Sequence, residues 1–533
     1  MANNFNLYGE GIKNGWDVVD AALLEDDRTL EADVAIIGTG AGGGTTAEIL
    51  AGAGLKVIMV EEGRLYHDPD FTMNEQKAYS QLYQEGMTRA TADASIAILQ
   101  GRCVGGSTTV NWTSSFRTPE QTLNHWQSTH GVRNCEPETL APWFANREQA
   151  LNIQLWETEP NRNNDILRDG CERMGWEWQT IPRNVRDCWN LGYCGMGCPT
   201  NAKQGTLITS VPSALGDGAT LIHSLRVDRL NHQSDRVRDL QGTALGADGV
   251  TVTGPRMRIR ARHFVVAGSA IGSPGVLLRS NVPDPHDRIG RRTFLHPVNA
   301  TVARMPETVA PYYGAPQSIY SDEFLWRDGV TGSPGYKLEV PPLHPVMASA
   351  VLPDHGEAMI EQARHFPQTQ SIIGLVRDGF NSDSEGGTVT LRDDNSPQLH
   401  YPISDSLWSA FRHAWLRMAE LQFAAGAEAV RAVHMDAPYW RSWQEAEKGI
   451  RDLPLEELRA RLFTAHQMGG CAMGEDPTRS VVNSWGEHHH LNNLSVHDAS
   501  IFPTSLGANP QLTVYALAAR NSHRLAGRLQ SNA

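Results

Sequence analysis

The sequence predicts an α/β fold: a parallel sheet flanked by helices, joined to an α+β unit built on an antiparallel sheet. Three observations predict it. Residues 32–38 form a short apolar, β-branched run ending in glycine, the pattern of a buried strand. Residues 47–53 are small and apolar, suited to a helix packed close on a sheet, and residues 55–60 are a second buried strand; two strands joined by a helix in this way run parallel. Residues 305–394 are rich in Pro, Gly and aromatic side chains, with alternating stretches such as 336–340, which predicts antiparallel strands and long loops.

In chain order, residues 1–31 read as a polar arm. They carry charges and no apolar core of a secretory signal, which points to the cytoplasm, with peripheral membrane association left open. Residues 52–54 break the first helix before the second strand. Residues 64–93 are polar and aromatic with weak periodicity, and 118–150 read as helical. Residues 263–268 are another short strand running into a glycine turn, 408–425 an amphipathic helix, and 494–528 a strand, a loop and a helix.

At 533 residues the chain is long enough for more than one domain. Its 40% apolar and 20% charged content is that of a folded protein. With 46 basic and 60 acidic residues the net charge is −14, which disfavours a nucleic-acid partner because phosphate repels it. No run approaches the roughly 18–20 apolar residues of a membrane span. Seven cysteines, unevenly spread, do not form a secreted disulfide framework.

Gly38-Thr39-Gly40-Ala41-Gly42-Gly43 fits G-x-G-x-x-G between a strand and a helix, the setting of a Rossmann-type dinucleotide site. Gly38 permits the tight turn, Gly40 the approach of a pyrophosphate, and Gly43 close packing of helix on sheet. The helix N-terminus offers unpaired N–H groups to the phosphates. Glu61 closes the second strand, where an acid accepts hydrogen bonds from an adenosine ribose.

Five segments together resemble the glucose–methanol–choline (GMC) oxidoreductases. They are the loop Gly101-Arg102-Cys103-Val104-Gly105-Gly106-Ser107-Thr108-Thr109-Val110-Asn111; Gly268-Ser269-Ala270-Ile271-Gly272-Ser273-Pro274; the stretch from His466 to Gly474; that from Val496 to Pro503; and that from Gly507 to Thr513. The resemblance implies an FAD-binding domain over 32–300 and 455–533, interrupted by a cysteine-rich insertion at about 186–206. A substrate domain would cover 301–454. It also implies FAD held non-covalently, since the position at which some relatives tether the flavin through histidine is Val110 here. Gly105, Gly106, Ser107 and Asn111 would embrace the flavin. Asp498 and Ala499 would lie along its phosphates and ribityl chain, Asn509 and Pro510 would approach the isoalloxazine, and the backbone of Val227 would hold the adenine.

The chemistry so implied is oxidation of an alcohol's CH–OH group, with a proton leaving oxygen and a hydride passing from carbon to flavin N5. His466 and Asn509 match the catalytic pair. Histidine suits a base near neutral pH, and an amide can donate to the developing negative oxygen without titrating. His296 and His497, beside other motifs, are read as structural. His488-His489-His490 is read as a solvated turn, since adjacent strand residues point to opposite faces.

Cys188, Cys194 and Cys198 form C-x5-C-x3-C-P. The spacing resembles that of bacterial FAD-dependent glucose dehydrogenases, where three cysteines hold a 3Fe–4S cluster that passes electrons to a cytochrome. The segment from Gly197 to Thr206 also resembles long-chain fatty alcohol oxidases, which carry no cluster. The readings are then a dehydrogenase or oxidase of a primary, medium- or long-chain aliphatic alcohol; a sugar or polyol dehydrogenase subunit with the cluster; or a lyase of the same family. Oxygen, quinone or cytochrome remain open as electron acceptor. The apolar stretch 340–352 suits the wall of a tunnel for an alkyl chain and equally suits the core.

Overall fold

The apolar run that opens the fingerprint is buried because strands flank it on both sides. The structure, a computed structural model, describes residues 5–531. Arg28–Ile37 lies in the middle of an eight-stranded sheet. Its parallel part runs Asp17–Asp20, Thr220–His223, Val57–Val60, Arg28–Ile37 and Val252–Val266, with Leu494–Val496 also parallel to the last. Leu225–Gln233 and Arg236–Leu245 extend it as an antiparallel ribbon. Ile37 is level with both Val60 and Val266, so three strands end together. A crevice at the carboxyl ends of parallel strands is where such sheets bind ligands.

The helix Ala41–Gly52 follows the fingerprint and packs against the last helix, Gln511–Ser531, which is buried along most of its length. Residues 118–150 are the two helices Glu120–His130 and Pro137–Ala150. The N-terminal segment is more than an arm: Leu7–Lys13 is helical, Asp17–Asp20 joins the sheet, and residues 28–31 already belong to the central strand. No apolar run marks that extension, because Arg28, Thr29 and Glu31 face solvent there. Residues 1–4 of the arm lie outside the described residues.

A second eight-stranded sheet runs Ile96–Ile98, Leu462–Thr464, Val298–Arg304, Thr369–Val376, Tyr336–Glu339, Ile319–Ser321 and Gln179–Thr180, with Ala429–Ala432 also on Val298–Arg304. Its pairs are antiparallel except Ile96–Ile98 with Leu462–Thr464. It draws strands from both sides of residues 301–454. Thr369–Val376 is buried at every position, because both faces are covered. The helix Asp405–Ala424 packs on one face through Trp415 and Phe411, which share a core with Ile372. On the other face Ile373 and Leu375 meet Leu343, Ala348 and Leu352. Ser404 caps that helix by accepting from the Leu407 N–H at 3.3 Å. Trp415 donates its indole N–H to the Ala300 carbonyl at 3.1 Å, tying helix to sheet.

Trp415 is fully buried. Trp415→Ala removes both its packing and that bond, so it should cost about 3–5 kcal/mol, read as a fall in the urea midpoint; an unchanged midpoint would show that this contact does not hold the second sheet.

Candidate functional site

A cavity of about 880 Å³ runs from the fingerprint turn to His466 and Asn509, a size within the range of cofactor and ligand sites. Gly38 has φ +100°, and a Cβ there would sit 2.3 Å from the Ala267 carbonyl oxygen. Gly40 differs: nothing lies within 4 Å of where its Cβ would be, so its backbone faces open space in which a phosphate fits. Gly43 does not line the cavity. It packs on the Gly38 carbonyl, where a Cβ would come within 2.0 Å, the packing role expected of it.

Glu61 lines the same end. Its carboxylate accepts from the Thr39 N–H at 3.1 Å, the Thr39 hydroxyl at 2.7 Å and the Gly63 N–H at 3.0 Å. Burial raises its pKa against these bonds. Val227 also lines the cavity, and its carbonyl accepts from Arg279 at 3.0 Å. Gly106, Ser107, Val110 and Asn111 form one wall. Gly105 stands behind them and donates its N–H to the Thr39 hydroxyl at 3.0 Å, joining that loop to the fingerprint.

Asp498 and Ala499 reach the cavity from the loop after Leu494–Val496. The Asp498 side chain serves the fold: it accepts from the Ser269 N–H at 2.9 Å, the Ser273 hydroxyl at 2.5 Å and the Ser500 N–H at 2.8 Å. His497 accepts or donates at Thr46, 2.9 Å away, with its backbone on Val266, in keeping with a structural role. His488 is buried, unlike a solvated turn residue; its Nδ1 accepts the His490 N–H at 3.1 Å.

At the other end, Thr293–Leu295 pairs antiparallel with Gln467–Gly469, which sets His296 beside His466. Their Nδ1 atoms are 3.0 Å apart. The Gly507 N–H donates to His296 Nε2 at 3.0 Å, so the proton of neutral His296 sits on Nδ1 and is donated to His466. The proton of neutral His466 is then on Nε2. Burial keeps both rings neutral, lowering His466 to about 4 and His296 well below its usual value. His296, read as structural from sequence, thus determines the tautomer of His466.

Asn509 and Pro510 precede the last helix and line the cavity with Gln317. Asn509 donates its amide N–H to Glu339 at 3.3 Å, and Gln317 donates to the same carboxylate oxygen at 2.6 Å. Val298, Ile373, Leu375 and Phe463 give this end an apolar wall. Residues 340–352 do not line it; Leu343, Ala348 and Leu352 share a packed cluster with Val298, Ile373 and Leu375.

The cysteine-rich segment lies beneath the loop at 106–111. Buried Lys203 donates to the carbonyls of Thr109 (2.5 Å), Asn111 (3.0 Å) and Cys194 (2.7 Å); burial lowers its pKa to about 8. Tyr83 donates to the Gly195 carbonyl at 2.7 Å. Each thiol has a local partner: the Asn190 N–H donates to Cys188 Sγ at 3.4 Å, Arg183 to Cys194 Sγ at 3.8 Å, and Thr200 lies 3.4 Å from Cys198 Sγ. Among the described residues no three His, Cys, Asp or Glu side chains gather as a metal-binding group. The 3Fe–4S expectation therefore gains no support, and the segment acts as a brace under the cavity wall. No described helix is long and apolar enough to cross a membrane.

The profile of the GMC oxidoreductases matches residues 79–298 and 382–518. A long-chain-alcohol oxidase of Arabidopsis thaliana is 30% identical over 95% of this chain and 69% of its own length. An uncharacterized GMC-type oxidoreductase of Sinorhizobium fredii is 29% identical over 93% of this chain and 95% of its own. Among solved structures, the fold is shared with pyridoxine 4-oxidase of Mesorbium loti (TM-score 0.66, 19% identity, 92% of this chain and 98% of that one). It is shared also with formate oxidase of Aspergillus oryzae RIB40 (TM-score 0.69, 15% identity, 94% and 98%).

Lys203→Met keeps the bulk of the side chain but strands three carbonyls. At about 1–3 kcal/mol for a buried group left unpaired, the variant should lose ~3 kcal/mol or more in urea unfolding; wild-type stability would rule out the brace.

Proposed function

The chain belongs to the GMC oxidoreductase family, and on that premise we propose that it oxidises the CH–OH group of a primary aliphatic alcohol of medium or long chain, using non-covalently held FAD. One observation carries the reading: a single cavity joins the glycine fingerprint and Glu61 to His466 and Asn509, and its substrate end is walled by Val298, Ile373, Leu375 and Phe463. An alkyl chain suits that wall, whereas a sugar needs more polar lining. The similarity to long-chain-alcohol oxidases supports the same choice. FAD, when bound, supplies the hydride acceptor at flavin N5. Val110, at the position where some relatives carry the tethering histidine, has no atom that could bond to it.

The residues of the chain hold the alcohol oxygen and its proton. Asn509 offers an amide N–H to the oxygen as negative charge develops there. His466 is the proton acceptor in this reading, and its neighbour sets the condition. To accept at Nε2, His466 must carry its resting proton on Nδ1 and donate it to His296. His296 then gives up the bond from Gly507, a loss of about 1 kcal/mol. In the tautomer that Gly507 favours, His466 Nε2–H donates to the oxygen instead, which suits binding before the proton moves.

Three outcomes test this. Anaerobic addition of primary alcohols to the purified yellow protein should bleach the flavin, with KM falling about fourfold per added CH₂ on the ~0.8 kcal/mol scale of methylene burial; a flavin that stays yellow with every alcohol ends the proposal. His466→Ala should slow that bleaching about 10²–10⁴-fold while FAD stays bound, and a full-rate variant would remove His466 from the chemistry. Because burial holds the His466 pKa down to about 4, its imidazole is neutral from pH 5 to 8. Its function should be lost only as pH falls through about 4, so His466→Gln should leave any rate limb between pH 6 and 8 where it stands in wild type.

A further inference from the structure

Glu339 is fully buried in the strand Tyr336–Glu339, behind the cavity wall. One of its oxygens accepts from both Asn509 and Gln317, while the other, Oε1, is buried with no partner. Asn509 lines the cavity, yet its Oδ1 is also buried and unpartnered. An amide left to itself would turn over to relieve a stranded acceptor, which costs about as much as a lost hydrogen bond. A carboxylate forbids the turn, because it accepts hydrogen bonds and donates none. Gln317 is held in the same sense: its Oε1 accepts from the Ser114 hydroxyl at 2.7 Å while its Nε2 faces Glu339.

We propose that Glu339 is a positioning residue for the alcohol oxidation put forward above: by accepting one N–H of the Asn509 amide its carboxylate keeps that amide from turning over, and the second N–H is left to donate to the substrate oxygen. The inference rests on that reading of the reaction and adds a residue that does not line the cavity. It requires Glu339 to be ionised. The charged groups facing it are Lys337, two residues along the strand, and Asp322, which pairs with Lys337 at 2.5 Å. Tyr320 lies across the strand pair, and the ammonium of Lys337 sits over the rings of Phe116 and Tyr320. Burial outweighs the attraction of Lys337 and raises the Glu339 pKa to about 7. Neutral Glu339 carries a proton that it can donate to an amide oxygen, so its grip on the Asn509 orientation weakens as pH falls through that value.

The experiment compares wild type, Glu339→Gln and Glu339→Asp, each loaded with FAD, by anaerobic flavin bleaching with a primary alcohol from pH 5.5 to 8.5. Wild type should slow as pH falls through about 7. Glu339→Gln, the same shape without the charge, should bleach about 10- to 100-fold more slowly, with KM changed less than about twofold and the limb near pH 7 gone. Glu339→Asp, which keeps a carboxylate, should retain a limb. Thermal unfolding gives a second readout, independent of turnover. A carboxyl whose folded pKa is raised favours the folded state below its ordinary pKa, and that stabilisation is lost as pH rises through the folded value. Wild type should therefore lose stability between pH 6 and 8, and Glu339→Gln should not lose this increment. If wild type bleaches and Glu339→Gln matches it in rate and pH profile, the proposal is overturned. If wild type itself never bleaches, the alcohol reading fails and Glu339's role at a substrate oxygen falls with it.

Discussion

One close approach underlies the rest of the site: the turn at Gly38 lies against the carbonyl of Ala267, nearer than any side chain would allow. It follows from the level ending of three parallel strands, Arg28–Ile37, Val57–Val60 and Val252–Val266. With those ends aligned, the turn after the first strand and the turn after the third form one rim. Glu61 ends the second strand at the same height and ties back to Thr39. The loop at 105–111 is then fastened to that rim through Gly105 and Thr39. A shift of one residue in any of these strands would separate the groups that line the cavity.

Burial governs the chemistry at the far end. His466, His296 and Glu339 all have pKa values moved towards their neutral forms, and in each case desolvation is the leading cause. Neutral histidines can hold a definite tautomer, and the Gly507 N–H selects it. A carboxyl brought near neutrality can hold amides in one sense while ionised and release them when protonated. The same low dielectric that makes unpaired polar atoms costly makes these few orientations well defined. Lys203 is the structural counterpart: a buried ammonium whose donors are consumed by three carbonyls.

Much of the fold was legible. The run at 32–38, the small residues after it and the strand ending at Glu61 gave the βαβ unit, because apolar periodicity and glycine placement report local geometry directly. The resemblance added His466, Asn509 and the loop at 105–111. Three things were hidden. Residues 28–31 extend the central strand beyond the core, where the side chains of Arg28, Thr29 and Glu31 meet solvent. Glu339 and Lys337 sit in the alternating stretch 336–340, where a polar residue at every second position suggests a solvated face; the pairing of Tyr336–Glu339 between two other strands, covered on both sides, buries all four. His296 could not be told from an ordinary core histidine, since its partner lies 170 residues away.

From sequence alone come the glycine-rich turn and the acid that follows it, because each depends on neighbours a few residues apart, and His466 and Asn509 as candidates, because the motifs around them resemble those of a family. Which nitrogen of His466 carries the proton, which atom of the Asn509 amide meets Glu339, and that Lys203 ties the cysteine-bearing segment to the loop at 109–111 were decided only in three dimensions. Those properties belong to contacts between distant segments and to the exclusion of water, and neither leaves a local pattern in the chain.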